Sequence, residues 1–324
     1  MTGNRTALVL GATGGIGGTV ARLLRQRGWG VRALNRNPEA LPAAHRAQGI
    51  EWLRGDAMSA ADVARAAEGV SVMVHAVNPP GYRNWGELVL PMLDNTIAAA
   101  RARGARIVLP GTVYNFGPDA LPDLSEDSPQ RPVTAKGKIR VEMERRLRVA
   151  ASSEGCSVLI VRAGDFFGPD AANNWFSQAL VKPGRPVARM TYPGAAGIGH
   201  QWAYLPDVAE TMVRLLERSA DLEPFAVFHM QGHWDADGTE MVEAVRRNAG
   251  NPGIKVARMP WGLMRLASPF VAIFRELAEM RYLWELPVRM NNRRLVATLG
   301  AEPHTPLDEA VRATLLGLGC LRAG

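Results

Sequence analysis

From residue 6 to about residue 162, short runs of apolar and β-branched residues alternate with stretches in which apolar positions recur every three or four residues. The runs predict strands over 6–10, 31–34, 51–53, 71–76, 106–109 and 157–162. The stretches between them predict helices around 16–27, 60–67, 85–103 and 134–153. Strands separated by single helices imply a parallel sheet built from right-handed crossovers, with helices on both faces. The predicted class is therefore α/β, with a doubly wound parallel sheet. Beyond residue 162 the pattern loosens. Loops with Gly and Pro at 164–170 and 192–199 precede helical patterns near 208–219, 239–249, 263–282 and 307–318, which predict a smaller, mostly helical C-terminal domain. The expected division is 1–165 for the first domain, with 200–230 returning to it, and 166–199 plus 231–324 for the second.

Composition narrows the function classes. The chain has 324 residues, 47% hydrophobic and 21% charged, as a folded globular protein requires. Its net charge of +7 comes from arginines spread along the chain, not gathered in a stripe or interleaved with aromatics, so no nucleic-acid partner is expected. Cys156 and Cys320 are far apart and lack metal-ligand spacing; neither a disulfide framework nor a metal site is expected. The apolar run at 6–10 breaks into glycines too early for a signal peptide. The stretch 260–284 carries Arg265, Arg275, Glu276, Glu279 and Arg281, which argues against a membrane span. The expectation is a cytoplasmic protein with a small-molecule substrate. Only four of the 38 basic residues are lysines: Lys136, Lys138, Lys182 and Lys255.

The most specific segment follows the first strand. Gly11, Gly14 and Gly17 give a GxxGxxG spacing between a buried strand and a helix, so that backbone N–H groups can approach a pyrophosphate closely. This predicts a Rossmann-type NADP(H)-binding domain, with Gly11, Thr13, Gly14, Gly15, Ile16 and Gly17 around the phosphates. At the end of the second strand, where an NAD-binding chain places a carboxylate on the ribose hydroxyls, the sequence reads Leu34-Asn35-Arg36-Asn37-Pro38. With no carboxylate to repel a 2′-phosphate and with Arg36 able to pair with it, NADP is favoured over NAD. Asn35, Asp56 and Ala57 are expected near the adenosine. Ala76 and Val77 belong to a stretch at 75–82 expected to line the cleft, with His75 a satisfied strand-end histidine.

These features resemble the extended short-chain dehydrogenase/reductases, including the epimerase/dehydratase-like members. Val113-Tyr114-Asn-Phe-Gly117 is similar to the family's VYG element, and Arg162 through Gly168-Pro169 to its RxxxxxGP element. Ala203-Tyr204-Leu205-Pro206-Asp207-Val208-Ala209 is similar to its VDDVA stretch. The resemblance implies a Ser or Thr just before VYG and a Tyr four residues ahead of a Lys. In that family the Tyr exchanges the proton while the Lys tunes it and binds the nicotinamide ribose. Here the serine position falls near Pro110, and the segment 132–144 contains no tyrosine: Thr134 stands four residues before Lys138, and Pro132 four before Lys136. A threonine hydroxyl is a far poorer acid than a phenol of reference pKa ~10.

The same segment also resembles the atypical isoflavone-reductase-like and NmrA-like branch, whose KxxxR pattern with a later Glu is matched by Lys136, Arg140 and Glu144. In reductases of that branch a lysine handles the proton without a tyrosine. Periodicity sets Lys136 in line with Ile139, Met143 and Leu147, an inward stripe, and Lys138 in line with Val141, Arg145 and Val149. The catalytic candidates are Lys136, Tyr114 and Thr112, with Lys138 as the alternative lysine. Phe166, Phe167, Trp175, Tyr192 and Trp202 read either as an aromatic substrate pocket or as core. The apolar stretch 260–287 reads as helix packing over the cleft or as a homodimer surface. The expected function is an NADP(H)-dependent oxidoreductase acting on a small, partly apolar carbonyl, enone or alcohol. The alternatives are a nucleotide-sugar epimerase or dehydratase, and a non-enzymatic NADP(H)-sensing regulator.

Overall fold

The computed structural model describes residues 5–79, 84–171, 174–267 and 272–322. Strands β1 (Thr6–Leu10), β2 (Gly30–Asn35), β3 (Glu51–Arg54), β4 (Val72–His75) and β5 (Arg106–Gly111) alternate with helices α1 (Gly15–Gln26), α2 (Ala43–Arg46), α3 (Ala60–Ala66) and α4 (Trp85–Arg103). A two-residue strand β6 (Asp123–Leu124), helix α5 (Ala135–Ser153) and strand β7 (Ser157–Arg162) follow. The central sheet has seven strands in the order β11-β7-β5-β4-β1-β2-β3, where β11 is Phe225–His229, and every pairing in it is parallel. It is the Rossmann-type doubly wound sheet predicted above.

Burial explains why these segments form strands. Ala7, Leu8, Val9 and Leu10 of β1 are all at most 1% exposed, because helices cover the sheet on both sides and leave no polar face. One face carries α1, α11 (Arg293–Leu299) and α6 (Leu205–Glu217), which buries Val208, Met212 and Leu215. The other carries α3, α4 and α5, with Val63, Leu93, Met143 and Leu147 inward.

The remaining chain builds a second core. Strands β8 (Asp165–Phe167), β10 (His200–Tyr204) and β12 (His233–Asp235) form a three-stranded sheet; β9 (Arg189–Tyr192) pairs with β13 (Lys255–Arg258), and β14 (Arg289–Met290) with β6. Helices α7 (Glu240–Asn248), α8 (Trp261–Ala267), α9 (Ala272–Glu279), α10 (Tyr282–Glu285) and α12 (Leu307–Gly317) complete this part. The single helix expected over 263–282 is three shorter ones. Residues 268–271 between α8 and α9 lie outside the described residues, and a turn at Met280–Arg281 separates α9 from α10. Phe167, Trp202, Trp175 and Tyr192 are buried in this core, edge to face with one another or with Trp284, so the packing reading holds for all four. Among the described residues no helix is long and apolar enough to cross a membrane.

Candidate functional site

Strand order reverses between β1 and β4, and a cleft of about 540 Å³ opens at their carboxyl ends, where doubly wound sheets bind their ligands. Gly11, Thr13, Gly14, Gly15 and Ile16 line it, together with Asn35, Arg36, Ala57, Ala76 and Val77. Gly11 has φ +88°, and a Cβ there would meet the Ala76 carbonyl oxygen at 2.5 Å. Only glycine fits this crossing of β1 and β4. Gly17 stands behind the turn instead of in the cleft wall; its hypothetical Cβ would lie 2.3 Å from the Gly11 carbonyl oxygen, so it sets how closely α1 follows β1. The outcome is a glycine-rich cradle at the N-terminus of a 12-residue helix, where exposed N–H groups and the helix dipole favour a diphosphate. These residues fit a dinucleotide. Across the turn, Asp170 also lines the cleft and pairs with Arg22 of α1 at 2.5 Å, tying the loop after β8 to the helix.

At the far end, Arg36 is exposed on the cleft wall and makes no hydrogen bond or ion pair with any described residue. The nearby carboxylate of Glu39 is taken up by Arg54 at 2.6 Å. Asn35 accepts the Asn37 N–H at 2.8 Å, which shapes the turn that presents Arg36. Asp56 does not line the cleft, although Gly55 and Ala57 on either side do. Its carboxylate closes a local turn by accepting the Met58 N–H at 3.0 Å, and its own N–H donates to Asp62.

The inner end is walled by His75, Asn78, Pro110, Thr112, Arg140 and Phe166. Pro79 is buried and not in the wall, and Pro80, Gly81 and Tyr82 of the expected stretch lie outside the described residues. Pro110 brings no hydroxyl to the wall, and the Thr112 hydroxyl accepts the Tyr114 N–H at 3.2 Å. Tyr114 is not in the wall: it sits in a short 3-10 turn, Val113–Asn115, and packs against the second core. The turn has another use. A Cβ on Gly137 would lie 2.3 Å from the Tyr114 carbonyl oxygen, so the first turn of α5 is seated directly on it. His75 donates to or accepts from Thr96 at 2.8 Å, and burial, with Arg140 adding repulsion, pushes its pKa down to about 3; the ring is neutral near pH 7.

Along helix α5 the two lysines differ in burial, and neither lines the cleft. Thr134 is the helix's N-cap, accepting the Gly137 N–H at 2.9 Å, so this hydroxyl holds a helix end. Lys138 is exposed and Lys136 is buried, with its ammonium 2.9 Å from Glu279 Oε2. Glu279, on α9, also accepts the Ala135 N–H and so grips the first turn of α5 twice. Lys136 is outside the cleft wall, but Arg140, one turn further on the same helical face, is in it, with its guanidinium 5.2 Å over the Trp85 ring. Neither the position of Arg140 in the wall nor the Glu279 contact follows from periodicity. Arg140 is legible only as part of the KxxxR pattern, and Glu279 is 143 residues away from its partner.

Below this end lies a buried polar cluster. Arg162 is 1% exposed and binds both Glu144 oxygens, at 3.0 and 2.5 Å, and His229 Nε2 at 2.9 Å. Gln130 donates to Glu144, and Glu126 accepts the His229 N–H. Burial, with Arg162 alongside, pushes the His229 pKa down to about 3, so the neutral ring can accept from the guanidinium. The cluster fastens α5 to the ends of β7 and β11.

Residues 7–230 match the NAD dependent epimerase/dehydratase family. The chain belongs to this family. Among curated proteins the chain is similar to the 3-diazoavenalumate denitrifying reductase of a Streptomyces species, 31% identical over 178 residues, covering 50% of this chain and 56% of that protein. The Sinorhizobium fredii protein called "Uncharacterized protein y4nL" is 29% identical over 183 residues, covering 50% and 51%. The chain thus spans about half the length of the curated relatives it matches. Among solved structures, MoeE5 in complex with UDP-glucose and NAD is similar with a TM-score of 0.73 over 96% of this chain and 98% of that one; at 21% identity the likeness is one of fold. This epimerase/dehydratase-family chain keeps the family's dinucleotide cradle and has Lys136 and Arg140, four residues apart, in the segment where the resemblance implies Tyr and Lys.

Proposed function

We propose that this chain is an NADP(H)-dependent oxidoreductase that reduces a small, partly apolar carbonyl or enone, or oxidises the corresponding alcohol, with Lys136 as the proton-handling group. The observation that carries the reading is on α5: a buried lysine held by Glu279 at 2.9 Å, one turn ahead of an arginine in the wall of the cleft. The glycine cradle and α1 N-terminus hold the diphosphate, and Arg36 pairs with the 2′-phosphate through its planar fork. The bound dinucleotide supplies or accepts a hydride. Arg140 hydrogen-bonds the nicotinamide-side ribose, a task for a permanent cation with several donors. Lys136, one helical turn behind the wall, gives its proton to the substrate oxygen by way of an intervening water in the reducing direction and regains one by way of Glu279, whose side chain is 25% exposed and reaches solvent. Neutral His75 adds no competing charge. Phe166 gives the inner wall an apolar surface, which suits an apolar substrate better than a hydroxyl-rich one. The name of the Streptomyces relative, a reductase, agrees with net reduction.

The reading is tested by following NADPH oxidation with a panel of apolar aldehydes, ketones and enones. Turnover of at least one compound, with deuterium carried from labelled NADPH into the product, is the expected result. Tight NADPH binding with no turnover across the panel would assign the chain a nucleotide-sensing role instead.

A further inference from the structure

Asp207, His233 and His304 come from three separate segments and present one ligand atom each, all within 4.8 Å of one another. Asp207 is in the first turn of α6, His233 opens β12, and His304 belongs to the loop before α12. We propose that these residues form a binding site for one divalent transition-metal ion, zinc being the best match. Two imidazoles and a carboxylate are a donor set that such ions prefer to the oxygen-only sets of calcium and magnesium.

The site has features that an accidental cluster lacks. His233 is 8% exposed, and its Nε2 is buried with no hydrogen-bonding partner among the described residues. An imidazole in that position carries a desolvation cost that a metal bond would remove. Its ring lies 4.5 Å from the His304 ring on one side and edge-on to Phe167 on the other. Asp207 is oriented by Thr305, which donates its N–H to Oδ2 at 2.8 Å and its hydroxyl to Oδ1 at 2.7 Å. Each oxygen keeps a lone pair, and hydrogen bonds of this kind commonly fix metal-ligating carboxylates. The loop is fastened again at Glu302, whose oxygens accept the N–H groups of Gln231 and Gly232 beside His233. Two of three ligands are thus preset. Donors around one zinc ion at ~2.0–2.1 Å lie closer together than 4.8 Å; the exposed ring of His304 can turn to close the gap.

The site adjoins the cofactor cleft without entering it: Leu205, two residues before Asp207, is in the cleft wall, whereas none of the three ligands is. A bound ion would brace the start of α6 against the loop before α12, and water would complete its coordination. The test is calorimetric titration of the tag-free chain of residues 1–324 with zinc chloride, alongside thermal unfolding with and without the ion. Wild type is expected to take up one equivalent and to melt at a higher temperature with zinc. His304→Ala, at an exposed loop position, is expected to keep its far-ultraviolet circular dichroism and lose affinity at least tenfold, while His45→Ala binds like wild type. Absence of a one-equivalent transition in wild type, or equal affinity in His304→Ala, would overturn the proposal.

Discussion

Replacing Lys136 with methionine is expected to lower kcat by roughly 10²–10⁴-fold, the usual range for loss of a general acid, while NADPH affinity changes little. The substitution suits the site. Methionine preserves the length of the buried stem, and Glu279, partly exposed and still bonded to the Ala135 N–H, has solvent to replace the ammonium. Arg140 remains in the cleft wall to hold the nucleotide. Lys136→Arg separates two roles that the first variant loses together. An arginine keeps the positive charge next to Glu279 but does not release a proton in proteins. If Lys136 acts by proton transfer, Lys136→Arg is as slow as Lys136→Met; if it acts only by charge, the arginine restores most of the rate. Initial rates for both variants at saturating NADPH, with nucleotide affinity measured separately, check this.

The largest stability effect is expected at Arg162. Changing it to methionine leaves Glu144, 5% exposed, with the Gln130 amide but without its guanidinium partner. Removing one member of a buried ion pair typically costs ~3–5 kcal/mol, chiefly because the other charge stays buried and uncompensated. Arg162→Met is therefore expected to lose about that much unfolding free energy in urea, and adding Glu144→Gln is expected to return part of it. The cluster supports the site as well as the fold: Glu144 lies two helical turns beyond Lys136 on α5, so loosening it shifts the helix that carries both Lys136 and Arg140. A loss below about 1 kcal/mol for Arg162→Met would place the cluster among the weak, solvent-screened pairs instead.

How much of this was legible in the sequence depends on the range of the interactions. The strands at 6–10 and 157–162 appear in the structure at those residues, since their unbroken apolar runs reflect burial on both faces. The glycine turn is local: Gly11, Thr13, Gly14, Gly15 and Ile16 line the cleft as expected, whereas Gly17 stands behind the turn. The inward direction of Lys136 followed from one helix's periodicity, and Met143 and Leu147 are buried with it. What could not be read depends on segments meeting from far along the chain. β11 is five residues, Phe-Ala-Val-Phe-His, too short a run to fix its place at the sheet edge until it pairs with β7. The aromatic residues that looked equally suited to a pocket and to a core lie on β8 (Phe166, Phe167), β9 (Tyr192), β10 (Trp202) and just before residue 176 (Trp175); packing decided, and of these only Phe166 reached the cleft. Tyr114 and Asp56 were plausible by position, but their local turns direct them elsewhere. Glu279 and His304 acquire meaning only once α9 and the last loop are in place.

Recognition of a 2′-phosphorylated dinucleotide by this cradle through Arg36 is tested by a calorimetric titration of NADPH and NADH into wild type and Arg36→Ala. Wild type is expected to prefer NADPH by about tenfold or more, ~1.4 kcal/mol. Arg36→Ala should lose that preference by weakening NADPH binding while NADH binding is unchanged. Equal affinity of the wild type for both nucleotides, or a preference that survives in Arg36→Ala, would contradict the account.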